Sequence, residues 1–68
     1  MTYDIYDTDT ANLVGSFRDE QEALALVRRA VKEDGPEAVA SWALAPTDLS
    51  TTAISGRELV GRALRVVA

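Results

Sequence analysis

Residues 19–36 read Asp-Glu-Gln-Glu-Ala-Leu-Ala-Leu-Val-Arg-Arg-Ala-Val-Lys-Glu-Asp-Gly-Pro, and this stretch decides the fold class. Ala23, Leu24, Leu26, Val27, Ala30 and Val31 recur at helical spacing and share one face about 160° wide at 100° per residue. Asp19 is placed to cap the helix, with Glu22 reaching back as in a capping box. Acids crowd the first turn and Arg28, Arg29 and Lys32 come later, which suits the helix dipole. Gly35 offers a C-terminal cap and Pro36 forbids continuation. The spacing predicts a helix over 19–34.

Upstream, the period changes from 3.6 to 2. Thr2-Tyr3-Asp4-Ile5-Tyr6 and Leu13-Val14-Gly15-Ser16-Phe17 both alternate as strands do. Asp7-Thr8-Asp9-Thr10-Ala11-Asn12 lies between them and is rich in side chains that bond their own backbone. The expected unit is a β-hairpin with Tyr3, Ile5, Leu13 and Phe17 on its covered face. Tyr6 and Val14 then lie on the opposite face, where they invite a partner. Gly15 leaves a gap on the covered face that something can approach closely.

Downstream, Pro36-Glu37-Ala38-Val39 suits a short helical turn and Ser41-Trp42-Ala43-Leu44-Ala45 a strand stopped near Pro46. A single helix over 36–45 would instead group Val39, Trp42 and Ala43. Thr51-Thr52-Ala53-Ile54 is β-prone and short, an edge strand to pair with 41–45. Ser55-Gly56-Arg57-Glu58 has the form of a capping box. It opens a second helix with Leu59, Val60, Ala63, Leu64 and Val67 on one face. The whole reads as an α+β domain over residues 1–68, ordered β-β-α-β-(β)-α, a small antiparallel sheet with two helices on one face.

Composition limits what such a domain does. The chain has 68 residues, 47% of them hydrophobic, yet 11 of these are Ala, leaving 21 larger apolar or aromatic side chains. A domain this size buries only about 60% of its unfolded surface and gains from self-association. With neither His nor Cys there is no zinc site of the usual kind and no disulfide. No apolar run is long enough to span a membrane, and no secretory signal opens the sequence, so we expect a cytoplasmic protein. Net charge is −4, which disfavours general nucleic-acid binding. The charge is uneven: residues 1–22 hold six acids and one base, whereas residues 55–68 hold Glu58 against Arg57, Arg62 and Arg65. Arg28, Arg29 and Lys32 would join Arg62 and Arg65 in one positive patch if the helices pack suitably, though no aromatic platform accompanies them.

Catalytic chemistry finds few components. Asp7 to Asn12 resembles the opening of a calcium loop, but Ala11, Asn12 and Arg18 stand where such a loop needs a ligand, a Gly and an acid. Ser41, Ser50 and Ser55 have no His to act as base. Asp4, Asp7 and Asp9 are the only clustered acids, at an exposed turn. We expect no enzymatic activity, no cofactor and no metal. Trp42, the one Trp, is either a core residue or an interface anchor. Gly61 falls on the polar face of the last helix, where it costs about 1 kcal/mol against Ala unless another backbone comes close. Tyr6, Val14, Trp42 and Gly61 are therefore the candidate interface residues.

Ser16-Phe17-Arg18-Asp19-Glu20-Gln21-Glu22-Ala23-Leu24, with Tyr3-Asp4-Ile5-Tyr6-Asp7 and Leu13-Val14-Gly15 before it, resembles the strand-to-helix joint of short bacterial hairpin-plus-helix proteins, the HicB-like antitoxin group among them. The resemblance covers residues 3–31. It implies a regulatory module whose acidic hairpin binds a basic partner protein; it assigns no site residue. The residues themselves suggest a non-enzymatic interaction module, a homodimer whose partner is a second copy.

Overall fold

Tyr3–Asp7 forms the central strand β1 of the computed structural model, which describes residues 2–48 and 50–65. It is flanked by β2 (Asn12–Phe17) and β3 (Trp42–Pro46), both antiparallel to it. β4 (Ile54–Ser55) pairs with Leu44 and Ala43, giving a four-stranded sheet in the order β2-β1-β3-β4. β4 is thus shorter than the 51–54 read from the sequence and begins at its last residue. Pro46 ends β3 beyond the two residues that β4 pairs, so its missing N–H costs no ladder bond there.

Helix α1 (Glu20–Asp34) follows β2, and a 3-10 turn over Pro36–Val39 leads into β3. Asp19 accepts a hydrogen bond from the Glu22 N–H at 2.8 Å, as expected. The reciprocal half of the box is replaced: the Glu22 carboxylate pairs with Arg18 at 3.6 Å. Gly35 takes φ +88° and its N–H reaches the Val31 carbonyl at 2.8 Å, ending the helix. Turn followed by strand is the outcome for 36–45.

Helix α2 spans Gly56–Arg65. Its start corrects the expected capping box. Ser55 is the last residue of β4, and Gly56 at φ +57° makes the sharp turn from strand into helix. Only Gly adopts that backbone without a Cβ penalty. Glu58 is engaged with Arg62 at 3.7 Å rather than with Ser55.

Both helices lie on the same face of the sheet. Ile5 and Leu44 on the strands meet Ala23, Leu24 and Val27 of α1, Leu59 and Ala63 of α2, and Val39 of the turn. Ile5, Leu59, Val27 and Val39 are the largest fully buried side chains. Each contributes about 1.5–3 kcal/mol by leaving water. The sequence grouped Val39 with apolar neighbours only in the alternative single helix over 36–45; the 3-10 turn carries it into the core instead. α2 is less embedded than its pattern suggests: Leu59 and Ala63 are buried, but Leu64 is 52% exposed. Val67 lies outside the described residues.

Candidate interaction surface

The sheet face away from the helices begins with a register slip. Ile5 is opposite Gly15, but Tyr6 is opposite Leu13, so a bulge leaves Val14 as the extra residue. Side chains alternate strictly along a strand, so a one-residue shift reverses which face the next ones occupy. Leu13, expected on the covered face with Tyr3 and Ile5, therefore joins Tyr6 on the open one and is 55% exposed. Tyr6 at 40% and Val14 at 37% complete an apolar group at the β2 side of the sheet.

Beside that group lies a polar network. Asp4 is 8% exposed although it faces away from the helices. One carboxylate oxygen accepts from the Ser16 hydroxyl at 2.8 Å and the other from the Tyr6 hydroxyl at 3.2 Å. A buried carboxylate is tolerable only when so bonded. The negative charge of Asp4 raises the Tyr6 phenol above its ordinary pKa, helped by burial and by the hydrogen bond that the phenol donates.

On β1, Asp7 alternates to the other side from Asp4 and Tyr6. Its Oδ1 accepts from the Ser41 hydroxyl at 2.9 Å and from the Asp9 N–H at 3.0 Å. The Ser41 bond, with smaller backbone contributions from Asp9 and Thr10, holds this carboxyl below the usual range. The Ser41 carbonyl in turn accepts from Thr8 N–H at 2.8 Å and Thr8 Oγ1 at 2.7 Å. The acidic loop is thus an Asx-type turn stapled to the start of β3. Asp4, Asp7 and Asp9 do not converge: the first is buried on one face, the second is tied to Ser41, the third is exposed.

The four expected interface residues do not form one surface. Tyr6 and Val14 are together on the open face. Trp42 stands opposite Asp7, on the covered side, and packs half-buried against the core. Gly61 lines a groove of about 460 Å³ between the 3-10 turn and α2, with Pro36, Ala40 and Val60 among its walls. Among the described residues, a Cβ at Gly61 would meet nothing within 4 Å, so none of them requires Gly there. The gap at Gly15 is filled from within, since the Phe17 ring covers it and a Cβ would stand 3.1 Å from Phe17 Cζ. Leu13 was missed because a bulge leaves no mark in the alternation; Leu64 was missed because the apolar arc of α2 is wider than the core beneath it.

Arg62 is not gathered with the cations of α1 either. Arg62 reaches the start of α1, 3.7 Å from Glu20, and also pairs with Glu58. Arg29 pairs with Glu33 at 3.3 Å. Placing Arg62 at the acidic start of α1 separates it from Arg28, Arg29 and Lys32 further along that helix.

These features define a small α+β domain with a four-stranded antiparallel sheet, helices on one face and an open apolar group on the other. Comparison with protein-family models, curated proteins and solved structures gives no match. Among the described residues, no helix is long and apolar enough to cross a membrane.

Proposed function

We propose that this chain is a non-enzymatic protein–protein interaction module that acts as a homodimer. One observation carries the reading: of the four exposed large apolar side chains among the described residues, Tyr6, Leu13 and Val14 sit together on the hairpin. Scattered apolar residues are ordinary on a surface, whereas a group beside an open sheet edge invites a partner. The acids near it are already engaged in structural hydrogen bonds, Asp4 with two hydroxyls and Asp7 with Ser41. Light scattering coupled to size exclusion tests the reading. A dimer is expected, and a strictly monomeric species at high micromolar concentration overturns it.

A second reading takes the acidic turn as the contact. Asp7 is held charged by Ser41, and Asp9 is exposed beside it. An antitoxin-like regulatory module would present these acids to a basic partner protein. Co-purification with the product of the neighbouring reading frame is the check, and no stable complex counts against it.

A further inference from the structure

Building on the homodimer reading, we infer that the second copy joins antiparallel along β2, so that the two sheets become one sheet twice as wide. Three independent features converge on this edge.

The first is the backbone. β2 is an edge strand bonded to β1 on one side only, so its other row of N–H and C=O groups is open. Its sequence, Asn-Leu-Val-Gly-Ser-Phe, contains no charge and no proline, two of the usual protections of an exposed edge; a third, a bulge, is confined to Val14. The opposite edge is the two-residue β4. Once two β2 strands pair, only those short strands remain as edges. The assembly therefore closes as a dimer instead of growing.

The second is the apolar group. A two-fold axis normal to the sheet keeps both open faces on the same side. It brings Leu13 and Val14 of each copy to the seam, with Tyr6 next to them on β1. The bulge at Val14 twists the strand and limits the run of pairing to this short stretch.

The third is charge. Asp7 and Asp9 precede β2 and Arg18 follows it. Arg18 is the only base in residues 1–22, and its side chain is 91% exposed. Antiparallel pairing brings each Arg18 beside the acidic turn of the other copy; parallel pairing would set acid against acid. The contact of Arg18 with Glu22 at 3.6 Å lies in solvent and leaves the guanidinium free to reach further.

The test combines oligomeric state with hydrogen exchange on the full chain. Leu13→Lys and Val14→Lys are each expected to weaken the dimer at least about tenfold while leaving the circular dichroism unchanged, because both side chains are exposed. Leu64→Lys, on α2, is expected to leave the dimer intact. Arg18→Glu weakens it, and adding Asp9→Arg restores it. Protection of β2 amides rises with protein concentration as dimer forms. A dimer broken by Leu64→Lys but not by Leu13→Lys overturns the β2 contact and leaves the homodimer standing. So does a dimer whose β2 amides exchange at the monomer rate, since that describes faces stacked without strand pairing. A wild-type monomer overturns both.

Discussion

The two faces of this sheet are made by the same strands with opposite chemistry. On the covered face, Ile5 and Leu44 sit side by side under two helices and are nearly inaccessible to solvent. On the open face, the neighbouring positions hold Asp4, Tyr6 and Ser16, joined by hydrogen bonds, with Leu13 and Val14 beyond them. The covered face is held by area removed from water, which has no direction. The open face is held by directed bonds to one carboxylate. Burial on one side and hydrogen bonding on the other are therefore separable by mutation.

The largest effect belongs to the covered face. Ile5→Ala and Leu59→Ala each remove a fully buried side chain and are expected to cost about 2–5 kcal/mol, a large part of the stability of so small a domain. Chemical denaturation with the midpoint as readout checks this. Leu64→Ala on the same helix as Leu59 should stay within about 0.5 kcal/mol, since Leu64 is half exposed. Equal losses at 59 and 64 would mean that the exposed side of α2 is covered in solution.

The open face yields a smaller and more specific effect. Asp4→Ala removes the acceptor of the Ser16 and Tyr6 hydroxyls, both of which are exposed enough to bond water instead, and is expected to cost about 1 kcal/mol. It also removes the negative charge that raises Tyr6, so the phenol should titrate closer to its ordinary value of about 10. Ultraviolet absorbance against pH reads this directly. In the wild type the raised Tyr6 contributes stability that is complete below pH about 10 and lost as pH rises through the folded-state value. A Tyr6 titration unchanged by Asp4→Ala would break the proposed link between these two groups.

The ends of the sheet give the smallest changes. Asp19→Ala removes the cap on the Glu22 N–H and should cost about 1 kcal/mol. At the turn, the depressed pKa of Asp7 contributes stability present above the ordinary carboxylate value of about 3.9 and lost as pH falls through its own lower value. Ser41→Ala should move the Asp7 titration upward, as seen by carboxylate NMR shifts, with little change at neutral pH. Ala11, held at φ +58°, is strained for a residue with a Cβ, so Ala11→Gly is expected to be neutral or slightly stabilising.

The elements legible in the sequence are those specified locally. Asp19, the apolar stripe from Ala23 to Val31 and the Gly35-Pro36 stop lie within one stretch, and α1 follows them to the residue. The hairpin followed from two alternating runs around a polar turn. What escaped depended on distant or subtle geometry. Val39 becomes core only because the 3-10 turn meets both helices. Ser55-Gly56-Arg57-Glu58 has a capping-box sequence, yet the strand before it takes Ser55 and leaves the turn to Gly56. In the candidate surface, Tyr6 and Val14 were legible from alternation alone. Leu13 was not, because the bulge that moves it is a property of the pair of strands.

By itself, then, the sequence determined the order of elements and the identity of the long helix, since periodicity and caps act over a few residues. Tertiary structure decided the strand order, the slip between Ile5 and Tyr6, and the separation of Trp42 and Gly61 from the hairpin surface. Those outcomes depend on which strand pairs with which and in what register. That choice is made by packing all the elements onto one core, and no single segment carries it.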